Sequence, residues 1–146
     1  MLLIIGSCVK TMAYIINIFR GRTNRRNYLL GLVVLIILNI INVALITQIS
    51  TLFLINTVLI LVLSSAVSAR RLHDFGISGL WLIIIFFGII VIREISPTLA
   101  GLPTSIFGLC LIFIPGNLHE NKYGPVPSQK INLLTGILNI KHDKLN

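Results

Sequence analysis

Residues 28–47 and 51–69 carry no charged side chain, and this constrains the chain more than any motif in it. Each run approaches the about 20 mostly apolar residues that a helix needs to cross a hydrocarbon core of roughly 30 Å. Asn39 and Asn42 are the strongly polar residues of the first run, and the short patch Gln48-Ile49-Ser50 joins it to the second. Two further apolar runs, 77–92 and 99–114, are 16 residues each, and the last contains Pro103. Sixteen residues make about 24 Å of helix, so these are either thin spans in a locally adjusted bilayer or the two arms of a re-entrant hairpin. Both are long for re-entrant arms, which favours two spans. The expected fold is therefore all-α: a polytopic membrane bundle of four transmembrane helices at about 28–47, 51–69, 77–92 and 99–114, the last two short. A segment 1–27 precedes this domain (28–114) and a tail 115–146 follows it.

Composition supports the same class. Hydrophobic residues are 55% of the 146 and charged residues 11%, against about 45–50% and 25% in soluble domains. So few charges cannot coat a soluble globule of this size, which argues against a soluble enzyme, a disulfide-stapled secreted domain or a disordered tail.

Charge placement orients the bundle. Lys10, Arg20, Arg22, Arg25 and Arg26 precede the first run, Arg70 and Arg71 separate the second from the third, and Lys122, Lys130, Lys141 and Lys144 follow the fourth. Only Arg93 belongs to the other side, so eleven of the twelve basic residues mark one face. The positive-inside rule makes that face cytoplasmic and puts both termini there. A net charge of +8 is then a topology signal with attraction to anionic headgroups, not a nucleic-acid footprint, because every basic cluster abuts an apolar run.

Around the amino terminus, Val9, Met12, Ala13, Ile16 and Phe19 share one helical face, with Lys10, Thr11 and Asn17 opposite. That pattern predicts an amphipathic helix lying in the interface. A fifth span over residues 1–19 would bury Lys10 near mid-membrane, and a signal peptide would put its charge before the apolar stretch. In the tail, Ile131, Leu134 and Leu138 fall at helical spacing, which fits a second surface helix or a frayed end. Cys8 and Cys110 are read as packing residues, not a disulfide.

Three polar clusters flank these runs. The first is Gly21-Arg22-x-x-Arg25-Arg26-x-Tyr28, where Gly21 permits a turn and Thr23 or Asn24 caps the following helix. The second is Arg70-Arg71-Leu72-His73-Asp74-x-Gly76-x-Ser78-Gly79-x-Trp81. Arg70 and Asp74 are four apart and share a helix face, Gly76 suits a left-handed helix end, and Ser78 suits a cap for the next helix. The third is Asn121-x-Tyr123-Gly124-Pro125, at the end of a Pro-, Gly- and Asn-rich loop. In this order the motifs resemble those of the bacterial inner-membrane domain-of-unknown-function family 805, over about residues 19–127. Asn24 stands where that family commonly has Ser, and Asn27 where it commonly has an acid. The resemblance implies a small multi-pass protein of the bacterial inner membrane and supplies no activity.

His73 beside Asp74 is the arrangement that invites a metal or catalytic reading. Adjacent helical residues diverge by about 100°, however, and the potential partners His119 and Glu120 lie in another loop. An ion-pair network among Arg70, Arg71 and Asp74 is the preferred reading, with no catalytic residue, metal or cofactor assigned. The candidate site for an anionic headgroup or other anionic ligand comprises Arg22, Arg25, Arg26, Arg70, Arg71, His73 and Asp74. The expected partners are membrane lipids, anionic ones included, with a second copy or a partner membrane protein as a further option. Three function classes follow. A structural or regulatory membrane protein comes first. A channel or transporter component using Asn39, Asn42, Asn56 and Ser64, Ser65 and Ser68 comes second. An enzyme acting on a lipid headgroup or other anionic substrate comes third.

Overall fold

A computed structural model describes residues 12–14, 16–46, 50–99, 101–131 and 137. Within these residues the ordered elements are helical. Backbone at 12–14 and 16–19 is helical and leads through a turn at Gly21 (φ 85°) to the first long helix. That helix, α1 (Arg25–Ile46, 22 residues), starts three residues before the uncharged run because Asn24 caps it. The Asn24 side-chain oxygen accepts the Asn27 amide at 2.8 Å, and its carbonyl accepts the Tyr28 amide at 3.0 Å. This is the side-chain capping of an otherwise unpaired first-turn donor.

The second helix, α2 (Ser50–Asp74, 25 residues), continues five residues beyond the expected end at 69, carrying Arg70, Arg71, His73 and Asp74 as helical residues. It closes at Gly76 (φ 80°). The Ile77 amide returns to the Leu72 carbonyl and the Gly76 amide to the His73 carbonyl, both at 3.0 Å. These paired bonds form a Schellman motif, which needs a left-handed residue and so favours glycine.

The third helix, α3 (Trp81–Ile95, 15 residues), begins four residues later than the expected run, because residues 77–80 form a turn. Ser78 does not cap α3, whose N-cap is Leu80 with no side-chain bond; it organises the preceding turn, accepting the Leu80 amide on its hydroxyl and the Trp81 amide on its carbonyl. The fourth helix, α4 (Gly101–Phe113, 13 residues), places Pro103 in its first turn, where a missing amide costs no intrahelical bond.

Helices α1 and α2 pack antiparallel. Buried positions recur every seven residues on each: Tyr28, Leu35 and Asn42 on α1, and Ile60, Val67 and Asp74 on α2. A seven-residue repeat is the register of a left-handed helix pair. Gly31 permits close approach, since a Cβ there would already touch Val67 at 3.4 Å. Leu111 of α4 completes the core with Tyr28, Leu35, Ile60, Val67 and Leu72. Helix α3 contributes no buried residue.

The burial pattern is inverted relative to a soluble domain. Among the described residues, exposed large apolar side chains far outnumber buried ones, whereas Arg70 and Arg71 are fully buried. Two helical stretches, Arg25–Ala44 and Thr51–Asp74, are long and apolar enough to cross a membrane. Helices α3 and α4 are shorter, at about 22 and 20 Å by their residue rise.

At the amino end, Met12 and Ile16 of the expected apolar face are exposed, while Ile18 is buried. Residues 1–11, with Cys8, Val9 and Lys10, lie outside the described residues, as do Leu134 and Leu138 of the tail. Ile137 is buried beside Gly31 of α1. Cys110 is free and exposed on α4, not packed.

Candidate functional site

The start of α1 and the end of α2 lie at the same end of the antiparallel pair, and the three sequence motifs meet there. Asp74 is the anion at the centre. Arg22 reaches its Oδ1 through Nε at 3.0 Å and Nη2 at 2.8 Å, and Arg71 reaches its Oδ2 through Nη1 at 2.5 Å. The side chains of all three are nearly inaccessible, at 1%, 0% and 5% for Arg22, Arg71 and Asp74. Within the helix, Asp74 therefore pairs with Arg71 at i,i+3, and the expected i,i+4 partner Arg70 turns to other acceptors. Both spacings share a helix face; the loops lying against that face decide between them.

Those loops bind the arginines through backbone carbonyls. Arg22 Nη1 donates to His119 at 2.8 Å and Gly124 at 3.3 Å, and its Nη2 donates to Asn117 at 2.6 Å. Together with the two bonds to Asp74, every one of the five guanidinium N–H donors of Arg22 is used. Arg71 donates from Nε to Leu111 at 2.8 Å, from Nη1 to Thr23 at 3.4 Å, and from Nη2 to Ile114 at 2.6 Å. It also lies 4.6 Å from the Phe75 ring centroid. The 115–117 loop backs directly onto the carboxylate: the Asn117 amide donates to the Asp74 carbonyl at 2.9 Å. A Cβ on Gly116 would collide with the Asp74 carboxylate.

His73 faces away from this ion-pair cluster. Its Nδ1 donates to the Gly21 carbonyl at 3.1 Å, and its ring stacks on Tyr123 with centroids 3.9 Å apart and planes 7° from parallel. Asn121 donates to the His73 carbonyl at 2.9 Å. Its side-chain oxygen accepts the Tyr123 amide at 2.9 Å, shaping the turn that presents the ring. The third motif is thus a clasp on the second.

Arg70 points to the other side of α2, donating to the Ala66 carbonyl at 3.4 Å and to the Ile137 carbonyl at 2.9 Å. Two asparagines of the first motif extend this attachment: Asn24 donates to the Ser128 carbonyl, and Asn27 to the Lys130 carbonyl at 3.2 Å. Asn27, Asn117, Tyr123 and Ile137 have partners about 50 to 100 positions away, which no local sequence pattern signals.

Of the seven candidate residues, Arg22, Arg71 and Asp74 form the ion-pair cluster, Arg70 and His73 serve separate attachments, and Arg25 and Arg26 are exposed. Arg25 and Arg26 line a cavity of about 220 Å³ whose floor includes Arg71 and Asp74. Among the described residues, Arg25 makes one contact, 3.5 Å to the Phe113 carbonyl, at the long limit for a hydrogen bond. Within α1 and α2, Asn42 donates to Thr57 Oγ1 at 3.0 Å and accepts from Asn56 at 3.1 Å. Ser64 and Ser65 instead donate to the Leu61 carbonyl of their own helix, and Asn39 is exposed.

Among the described residues, these observations define an all-helical protein with two helices of membrane-crossing length, closed at one end by a buried arginine–aspartate cluster. A family model described as protein of unknown function (DUF805) matches residues 16–125, and the chain belongs to that family. No match is found among curated proteins or among solved structures.

Proposed function

We propose that this chain is a multi-pass protein of the bacterial inner membrane, with α1 to α4 all embedded and both termini cytoplasmic. It acts as a structural or regulatory membrane module whose arginine-rich end contacts anionic headgroups or a partner. The observation that carries the reading is the inverted burial: Arg70 and Arg71 are fully enclosed while the apolar faces of all four helices are exposed. In water that arrangement would expose apolar surface far beyond the patches of an ordinary monomer. In a bilayer it satisfies both demands, apolar side chains facing lipid and charged groups packed inside protein.

The shortness of α3 and α4 fits a locally thinned bilayer. The geometry of the polar groups supports a structural role over the channel and enzyme alternatives. Asn42, Asn56 and Thr57 bond to one another across the α1–α2 seam. Both Asp74 oxygens are held by arginines, and His73 is engaged by Gly21 and Tyr123.

Cysteine accessibility tests the topology. In a chain with Cys8 and Cys110 replaced by serine, Thr98→Cys should react with an impermeant thiol reagent on intact cells. Lys130→Cys should react only after permeabilisation. The reverse pattern would overturn the orientation, and an unreactive Thr98→Cys would favour the re-entrant hairpin over two spans.

A further inference from the structure

We infer that the cavity beside the first motif is a site for one phosphoryl group, with Arg25 and Arg26 as its binding cations. This deepens the headgroup reading above and rests on it only for the source of the phosphate. The first support is a charge imbalance. Arg25, Arg26 and Arg71 line the cavity and Arg22 touches its floor through Asp74, yet Asp74 is the one carboxylate among the residues lining it. Both Asp74 oxygens are already held by Arg22 and Arg71. The carboxylate therefore has little capacity left for the other two guanidinium groups.

Donor accounting separates the arginines. Arg22 uses all five of its N–H donors, and Arg71 uses four. These two are structural. Arg25 has one long contact, and Arg26 is exposed with no hydrogen bond to the described residues. Two guanidinium-bearing residues that line one cavity with open donors suit a ligand that carries several acceptor oxygens and more than one negative charge, which is the chemistry of a phosphoryl group.

Size limits the ligand. At about 220 Å³ the cavity is smaller than the roughly 300–1,000 Å³ of sites that enclose a whole drug-sized molecule. That is the scale of a group such as phosphate with part of its hydration shell, not of a whole lipid. Asn117 and Gln129 add polar lining. The rest of a larger ligand would lie outside, as the acyl chains of a phospholipid do.

The test uses the full chain in nanodiscs of digalactosyldiacylglycerol, a lipid whose headgroup carries no phosphate. In one arm inorganic phosphate is titrated against chloride at constant ionic strength, with the unfolding midpoint and binding heat as readouts. In the other, the discs carry phosphatidic acid at increasing fraction, and lipids retained per chain are counted by native mass spectrometry. A saturable site of one phosphoryl group per chain is expected. Arg25→Gln and Arg26→Gln should each weaken it by about tenfold or more, the loss of a charge-assisted hydrogen bond, while Arg93→Gln on the opposite end leaves it unchanged. Both residues are exposed, so the ligand-free unfolding midpoint reports whether each variant is folded.

A response confined to the phosphatidic acid arm, saturable and dependent on Arg25 and Arg26, supports the site and identifies a lipid as the phosphate source. A response confined to inorganic phosphate with the same dependence identifies a soluble source. Non-saturable binding, or saturable binding unchanged in the Arg25→Gln/Arg26→Gln protein, overturns the site. The cysteine-labelling topology is read independently, so a failed site and a failed membrane reading give different results.

Discussion

Asp74 concentrates the energetics of this protein at the scale of single residues. Two almost fully buried guanidinium groups converge on its carboxylate, and removing one member of such a cluster leaves uncompensated charge in a low-dielectric environment. Asp74→Asn should therefore cost about 3–5 kcal/mol of stability, measured by denaturation in detergent against Arg93→Gln as the exposed control. Equal midpoints for the two variants would show that the cluster contributes nothing to stability. Steric reasoning gives a companion comparison. A Cβ on Gly116 would collide with the Asp74 carboxylate, while Gly88 of α3 has open space around its missing Cβ. Gly116→Ala should destabilise by about 1–3 kcal/mol through overpacking, whereas Gly88→Ala should be neutral or stabilising by up to about 1 kcal/mol, since alanine favours a helix interior. Similar losses at both sites would refute the close approach of the 115–117 loop to Asp74.

Between elements, the α1–α2 seam combines a seven-residue apolar repeat with one polar bridge. Asn42 is 1% exposed and bonds to Thr57 and Asn56. Interhelical hydrogen bonds of this kind average about 0.6 kcal/mol in membranes and reach about 1.7. Asn42→Leu should lose an amount in that range, and Asn39→Leu, at an exposed position of the same helix, should lose none. A double-mutant cycle with Thr57→Val would recover the coupling, and zero coupling would refute the bridge.

The two long helices were legible from charge-free length alone, and a helix start at Thr23 or Asn24 and a helix end at Gly76 were legible because each solves a local backbone problem; the structure selects Asn24. The extension of α2 to Asp74 was harder to see. Charges after an apolar run read as headgroup-level residues, although the spacing Ile60, Val67, Asp74 continues the buried seam and was present in the sequence. The choice of Arg71 over Arg70 as the Asp74 partner had no local signal. It depends on carbonyls at Thr23, Leu111 and Ile114 that only tertiary folding brings near.

For the molecule as a whole, residues 115–131 and Ile137, beyond α4, are part of the fold. The clasp at residues 117–124 ties Arg22 and His73 together. Beyond it, three buried donors of the bundle reach tail carbonyls: Asn24 to Ser128, Asn27 to Lys130 and Arg70 to Ile137. A buried polar group that loses one of its partners costs up to about 1–3 kcal/mol, and more when charged. Truncation after Pro127 should therefore destabilise the protein by several kcal/mol, with Arg70 contributing the largest share because its guanidinium group is enclosed and charged. The measurement is the unfolding midpoint in a single detergent, comparing truncation after Pro127 with truncation after Lys141, which retains all three acceptors. A tail that merely lay on the surface or frayed would give the two proteins the same midpoint. If the shorter protein is destabilised, adding Arg70→Met should restore part of the loss, because an apolar side chain of similar length removes the buried charge while preserving much of the packing.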